Sequence, residues 1–301
     1  MCSLWKNDKV DQANTDVKIV KISVIICTKD RADDMRRTLA SIEYQSMLPD
    51  EVVVVDASRD DQVRELVVHS SLTTLYINSE PGLTRQRNKG VEASSGDVLV
   101  FLDDDVELVP GCLQAFADAL HQNEEYVAAI CGRVLNVLPR LDSKRSQLLY
   151  VVDKALQRFF MMPEERHSGY FKYSTASTRP HLSDKPGYTR VLSGGCSAYW
   201  KSVFEVIRFD EHFEAYGYAE DVDTSLQIAN AGYKIYYEPR AALYHYPSGT
   251  SRMPRGDSSR MLVENSYYIY CKHFENSWLR TGAIFWSFFW LCRQRFFASG
   301  L

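Results

Sequence analysis

Short apolar runs alternate with helical spacings along the first half of the chain, and that alternation predicts βαβ units with a mostly parallel sheet. Ile19 to Cys27 reads as a strand; Met35, Leu39 and Ile42 follow at i, i+4, i+7, one face of a helix. Glu51 to Val55 is nearly continuous in apolar residues, as expected of a strand covered on both faces. The pattern then predicts a helix near Asp60 to His69, a strand over Leu72 to Asn78, a basic helix from Gly82 to Ala93 and a strand over Asp97 to Leu102. Pro110 sits where a first helical turn tolerates it, ahead of Leu113, Phe116, Ala117 and Leu120, and Ala128 to Val134 closes this half.

From Leu135 to Arg190 the alternation breaks down, and a polar stretch containing Ser, Thr and Pro reads as an insertion. The core pattern resumes with a strand-like Arg190 to Trp200, a helix from Ala219 to Asn230 stopped by Gly232, and a strand over Tyr233 to Tyr237. Met1 to Asp16 is polar and lacks the apolar stretch of a signal peptide, so residues 1–17 are expected to be a loose tail on a cytoplasmic protein.

Composition narrows the function. Against 39 Asp+Glu there are 35 Lys+Arg, a net charge of −4, so no global positive field gathers nucleic acid and any polyanion must be met locally. The 7 cysteines are odd in number, scattered and free of a C-x-x-C pair, which predicts reduced thiols rather than disulfides or a zinc site. One anomaly is local: 3 of the 5 Trp (Trp278, Trp286, Trp290) and 6 of the 14 Phe fall in the last 29 residues. The uncharged run there, Thr281 to Cys292, is 12 residues, well short of the ~20 a membrane-spanning helix needs. With Arg280, Arg293 and Arg295 flanking it, the segment fits a helix lying on a membrane surface; a helix packed on the protein core or at a homodimer contact explains the same residues.

Candidate chemistry gathers where apolar strands end, the edge at which parallel α/β sheets bind ligands. Asp103, Asp104 and Asp105 directly follow the strand ending at Leu102; such a run either holds a divalent cation or forms a solvated turn capping the next helix. Asp56 closes the second strand and Thr28-Lys29-Asp30-Arg31 the first, so three strand ends carry polar groups. Asp56 offers an acceptor to a ribose or base, or caps a helix. Arg85, Arg87 and Lys89 load the start of the basic helix with cations where the macrodipole favours acids, which points to a phosphate nearby or to a solvated basic face. Glu220 and Asp221 open the later helix, as a cap or as a general base. His245 follows another strand-like run, structural or completing a metal site with the aspartates.

Taken together and in order, four motifs resemble the family 2 glycosyltransferases of the GT-A fold. They are Val24-Ile25-Ile26-Cys27-Thr28-Lys29-Asp30-Arg31, Gly82 through Arg87-Asn88-Lys89-Gly90, the Asp-x-Asp within Asp103 to Asp105, and Phe209-Asp210-Glu211-His212-Phe213 leading to Glu220-Asp221-Val222-Asp223. The resemblance implies an α/β GT-A (Rossmann-like) domain over 18–252, with a mostly parallel central sheet flanked by helices, the 135–190 insertion on the acceptor side, and a C-terminal helical appendage over 253–301. It implies an inverting transfer of one sugar from a nucleotide-diphosphate sugar to a glycan or lipid-linked acceptor, dependent on Mn²⁺ or Mg²⁺. By that resemblance Thr28, Asp30, Arg31, Asp56, Gly82, Arg87, Asn88, Asp103 and Asp104 bind the nucleotide sugar, and Asp105 and His245 hold the metal. Asp221 is the base, with Glu220 supporting it, and Gly194 and Gly195 line the acceptor side. The Gln-x-x-Arg-Trp motif of processive synthases is missing, so one sugar per binding event is expected. A sugar-nucleotide-forming nucleotidyltransferase is the alternative within enzymes, but Thr28 to Asp33 has no glycine for its phosphate loop. An inactive transferase-like scaffold is the alternative outside them.

Overall fold

The computed structural model describes residues 20–123, 126–137, 184–248, 255–275 and 281–286, with isolated positions between 148 and 155 and at 278–279. The tail 1–17, most of the 135–190 insertion and residues 287–301 lie outside the described residues.

Strands β1 (Ile22–Thr28), β2 (Glu51–Asp56), β3 (Thr74–Asn78) and β4 (Val98–Leu102) pair in parallel, joined through α1 (Ala32–Glu43), α2 (Gln62–Val68) and α3 (Leu83–Ala93). Next come β5 (Val106–Leu108), α4 (Cys112–Gln122), β6 (Val127–Val134), β7 (Gly187–Thr189), β8 (Cys196–Trp200), α5 (Glu220–Asn230), β9 (Lys234–His245) and α6 (Arg255–His273). The sheet order is β3-β2-β1-β4-β8-β6-β9-β5, with β7 added beside β9. The mostly parallel expectation therefore holds for β1 to β4. In the other half β8 runs antiparallel to both β4 and β6, β5 and β7 run antiparallel to β9, and only β6 and β9 pair in parallel.

Strand periodicity sorts the core into two layers. Val98, Val100 and Leu102 of β4 join Val24, Ile26, Met35, Leu39, Leu113 and Phe116 on one face. Leu99 and Phe101 join Ile25, Val53, Tyr199 and Phe209 on the other.

Two departures from the sequence pattern shape the site. Three-residue β5 was not anticipated, and β9 runs past Tyr237 to His245. Pro239 is tolerated because the register with β6 jumps from Cys131↔Tyr237 to Arg133↔Ala242, so residues 238–241 bulge out of that ladder. Beyond the bulge β9 pairs with β5 in the register Val106↔His245, which places His245 beside the acidic run. The strand expected from Arg190 starts only at Cys196, after the turn containing Gly194 and Gly195.

Candidate active site

The three consecutive aspartates lie in the turn between β4 and β5 and take different partners there. Asp104 turns toward α1. There its carboxylate accepts from Thr28 Oγ1 at 2.7 Å and Arg31 at 3.0 Å, while its carbonyl accepts from Thr38 Oγ1 at 2.8 Å. Burial pushes its carboxyl up to about 6, with Arg31 pulling the other way. Asp103 and Asp105 face the opposite side. With His245 they offer ligand atoms within 4.8 Å of one another, two carboxylates and an imidazole, a donor set that suits a divalent cation also bound by phosphate oxygens. Nε2 of His245 lies 3.0 Å from Asp105, whose other oxygen accepts from the Ser248 N–H at 3.0 Å. Burial opposes ionisation of Asp105, but these bonds hold it below the usual carboxylate range. Of the expected ligands, Asp105 and His245 come together, and Asp103, expected among the nucleotide-sugar-binding residues, joins them.

Glu220 and Asp221, at the start of α5, line the same cleft as Asp103 and His245. The N-cap is Ala219, so neither carboxylate occupies the cap position, and Asp221 accepts from the first-turn Val222 N–H at 2.9 Å. Asp221 is half-buried and lines the cleft together with Glu220, Asp103, His245 and Gly194. Glu220 is buried against Arg87, and burial, helped by the charge of Asp221, pushes its carboxyl up to about 7 despite that cation.

Arg87, expected at the nucleotide sugar, lines the cleft. Its guanidinium is buried, paired with Glu220, 4.0 Å from Asp103, donating to the Gly194 carbonyl at 2.9 Å, and lying over the rings of Phe101 and Phe209 at 5.8 and 5.5 Å. A buried cation needs such partners, and through them Arg87 holds Glu220 in place. Asn88 is buried on protein partners: its amide donates to the Phe209 carbonyl at 2.9 Å and to Glu211 at 3.0 Å, and accepts from the Phe209 N–H at 3.2 Å, which anchors the Phe209–Phe213 stretch. Thr28 and Arg31 hold Asp104 in place, so this trio forms the support under the metal-ligand group.

Asp56 is fully buried, one oxygen accepting from Ser58 N–H at 2.8 Å, the other from Tyr76 hydroxyl at 3.0 Å. It is not a helix cap, since α2 begins after Asp61. Asp30 is exposed at φ 56, its N–H donating to Ser58 Oγ at 2.7 Å, so the ends of β1 and β2 are tied together. Gly82 starts α3 at φ 145, a conformation that favours glycine. Gly194 and Gly195 line the cleft as expected. A Cβ on Gly194 would strike Glu220, and one on Gly195 would strike Asp103, so these glycines let both acidic groups lie against the backbone.

Sequence reasoning missed Tyr216 and Tyr218. Their rings stack 5.7 Å apart at the cleft rim, and Arg31 reaches the Tyr216 hydroxyl at 3.4 Å. The only signal was an aromatic stretch broken by Gly217.

The family model for glycosyl transferase family 2 matches residues 23–208, more than half of the chain. The chain belongs to this family. It is a glycosyltransferase, which removes the nucleotidyltransferase alternative. It is 28% identical over 247 residues to the O-antigen chain rhamnosyltransferase RfbN of Salmonella typhimurium, covering 77% of this chain and 68% of that protein. It is 31% identical over 115 residues to the glucosyl-dolichyl phosphate glucuronosyltransferase of Haloferax volcanii, covering 36% of this chain and 37% of that one. Among solved structures, GalNAc-T7 with UDP, GalNAc and Mn²⁺ superposes with a TM-score of 0.62 at 16% identity, over 85% of this chain and 48% of the other. The mannosyltransferase PcManGT of Pyrobaculum calidifontis with GDP-Man and Mn²⁺ gives 0.56 at 18% identity, over 84% of this chain and 64% of the other. These likenesses establish the GT-A fold. Apart from RfbN, this family transferase spans under two thirds of the length of each of these proteins. No helix among the described residues is long and apolar enough to cross a membrane.

Proposed function

We propose that this transferase moves one sugar from a nucleoside-diphosphate sugar to an acceptor hydroxyl, with inversion, in the assembly of a cell-surface polysaccharide or glycolipid. The observation that carries this reading is one cleft lined both by Asp103 and His245, which cluster with Asp105, and by Asp221 with Glu220. The first group would hold Mn²⁺ or Mg²⁺, which when bound neutralises charge on the donor diphosphate. Asp221 accepts the proton of the acceptor hydroxyl as that oxygen attacks the anomeric carbon and the bond to the diphosphate breaks. Glu220, fixed by Arg87, keeps the neighbouring turn in place. Since RfbN and WbaN of Salmonella anatum are named as rhamnosyltransferases, a deoxyhexosyl donor is the first to try.

Thermal shift against UDP, GDP and dTDP, with and without Mn²⁺, tests donor binding. One diphosphate is expected to raise the Tm in the presence of Mn²⁺, with about 2.7 kcal/mol of stabilisation at 100 times its Kd. Asp105→Ala is expected to remove the Mn²⁺-dependent part. If no diphosphate stabilises the wild type in either condition, the proposal fails.

The C-terminal segment supports a place on the cytoplasmic membrane face. Trp278, Leu279, Phe285 and Trp286 are exposed while Ala283 and Ile284 are buried, and residues 276–297 hold three Arg and no acid, a composition suited to anionic headgroups. Full-length chain is expected to float with vesicles containing anionic phospholipid, and the Trp278→Ser, Phe285→Ser, Trp286→Ser triple variant to stay in solution. Equal flotation removes the membrane reading; a concentration-dependent dimer lost in the triple variant assigns the face to a second copy.

A further inference from the structure

Helix α6 follows the catalytic domain in sequence, yet it grips the turn that carries the proposed base. Lys272 Nζ lies 2.7 Å from Asp210 and 2.9 Å from Asp223, and His273 Nε2 lies 2.6 Å from Asp223. Asp223 is 1% exposed and the His273 side chain 4%, while the Lys272 and Asp210 side chains keep 28% and 21%, so the cluster runs from a buried end at Asp223 to a part-exposed end at Asp210. Tyr268 donates its hydroxyl to Asp210 at 2.8 Å, and Asn265 Nδ2 donates to the Tyr218 carbonyl at 2.7 Å. Ile269 packs with Phe213, Val222 and Leu226 between these polar anchors.

The gripped segment is strained. Ala215, Gly217 and Ala219 have φ of 52°, 61° and 68°, and the two alanines occupy a region that L side chains rarely adopt. Such residues persist only where the surroundings over-determine them. From the other side α3 supplies part of that constraint: Leu83 N–H donates to the Ala215 carbonyl at 3.2 Å and Thr84 Oγ1 to the Phe213 carbonyl at 3.1 Å. Helix α6 supplies the rest, through the Tyr218 carbonyl, through Asp210 before the strained loop, and through Asp223 after it. A partly buried polar cluster of this kind adds little net stability over apolar packing, and the effect argued for it here is to select one arrangement. The arrangement selected here is that of the first turn of α5, where Glu220 and Asp221 stand.

We propose that Lys272 and His273 are positioning residues for sugar transfer: by holding Asp210 and Asp223 they fix the strained loop and the turn bearing Asp221, which makes α6 a working part of the active site. This inference rests on the reading of Asp221 as the base, and the test separates the two.

Full-length wild type, Lys272→Met and Lys272→Arg are compared by nucleoside diphosphate release from dTDP-rhamnose, UDP-glucose and GDP-mannose, and by amide hydrogen exchange over 214–221 in Mn²⁺. For whichever donor the wild type turns over, Lys272→Met is expected to lower kcat about tenfold with donor KM within about twofold. Exchange over 214–221 is expected to quicken about tenfold. Lys272→Arg, which keeps a cation in place, is expected to retain most of kcat and wild-type exchange. A folded Lys272→Met protein with wild-type exchange overturns the proposal, and so does a Lys272→Arg protein as impaired as Lys272→Met. Should Lys272→Met fail to fold, Asp210→Asn, which keeps the size of the side chain, takes its place with the same expectations. The exchange measurement needs no acceptor or donor, so it decides even where none of the three sugars is turned over. Asp221→Asn serves as the separating control: loss of transfer with wild-type exchange keeps both readings, whereas retained transfer removes Asp221 as base and leaves the exchange result to judge α6 alone.

Discussion

Asp103-Asp104-Asp105 and Glu220-Asp221-Val222-Asp223 look alike as strings, but the backbone divides them by different rules. In the turn after β4, Asp104 takes Thr28 and the α1 side while Asp103 and Asp105 gather with His245. On α5 the helical pitch spreads the acids around the axis: Glu220 turns to Arg87, Asp223 turns to Lys272 and His273, and Asp221 lines the cleft. Each run thus contains carboxylates gathered at the cleft or the acidic cluster and carboxylates that hold the frame, and the local backbone decides which is which. The turn after β4 gathers two acids beside His245. The helix turns one acid to the cleft beside the Arg87-bound Glu220.

The largest effect expected from this contrast is at Asp221, the carboxylate proposed as the base. Asp221→Asn keeps the shape and its bond from the Val222 N–H, 2.9 Å in the wild type, but cannot take a proton. Transfer is expected to fall by about 10²–10⁴, with Mn²⁺-dependent nucleotide binding unchanged in the thermal shift. Transfer at the wild-type rate would place the base elsewhere and erase the asymmetry between the two runs.

The middle aspartate of the first run should behave in the opposite way. Asp104→Asn leaves Asp103, Asp105 and His245 in place but takes a charge partner from Arg31, which lies 3.0 Å from Asp104. A stability loss of about 1–3 kcal/mol is expected by chemical denaturation, with Mn²⁺ affinity by titration calorimetry lowered by about 10–100-fold, as for a supporting group, and not abolished. If Asp104→Asn instead abolishes Mn²⁺ binding while Asp103→Asn does not, the division of this run is wrong.

How much of this was legible depends on distance along the chain. Period two and period 3.6 located β1 to β4 and α1 to α5, and the motif order brought Asp105, Asp221 and His245 forward as site residues. What stayed hidden is non-local. β5 is too short to show a pattern, and its role is set by pairing Val106 with His245. The far half of β9 lies behind Pro239, which reads as a stop until the bulge is seen. In α3 no apolar stripe shows which polar residues turn inward, so the burial of Gln86, Arg87 and Asn88 stayed out of sight. The aromatic C-terminus drew attention to itself, while the polar pair Lys272-His273, which docks α6 onto α5 some 50 residues away, did not.

The smallest expected effect concerns that docking. Asp210 faces Lys272, the Tyr268 hydroxyl and the His212 N–H, with the His212 and Tyr268 rings stacked 3.7 Å apart above it and Asp223 on the far side of Lys272. Burial raises its carboxyl, but the bond from Lys272, the His212 N–H and the Tyr268 hydroxyl outweigh burial and hold it below the usual carboxylate range. A carboxylate depressed in the folded state contributes stability that is present above its unfolded pKa, about 3.9 for Asp, and is lost as the pH falls through the folded value. Stability of the wild type is therefore expected to fall across that acid window, followed by denaturant melts. Asp210→Asn should be less stable than wild type at neutral pH and should approach it as the pH drops below about 3.9. Parallel curves for the two proteins down to the lowest pH would mean that the grip of α6 on this aspartate contributes nothing through charge, leaving only the apolar contact of Ile269 to hold the second acidic run in place.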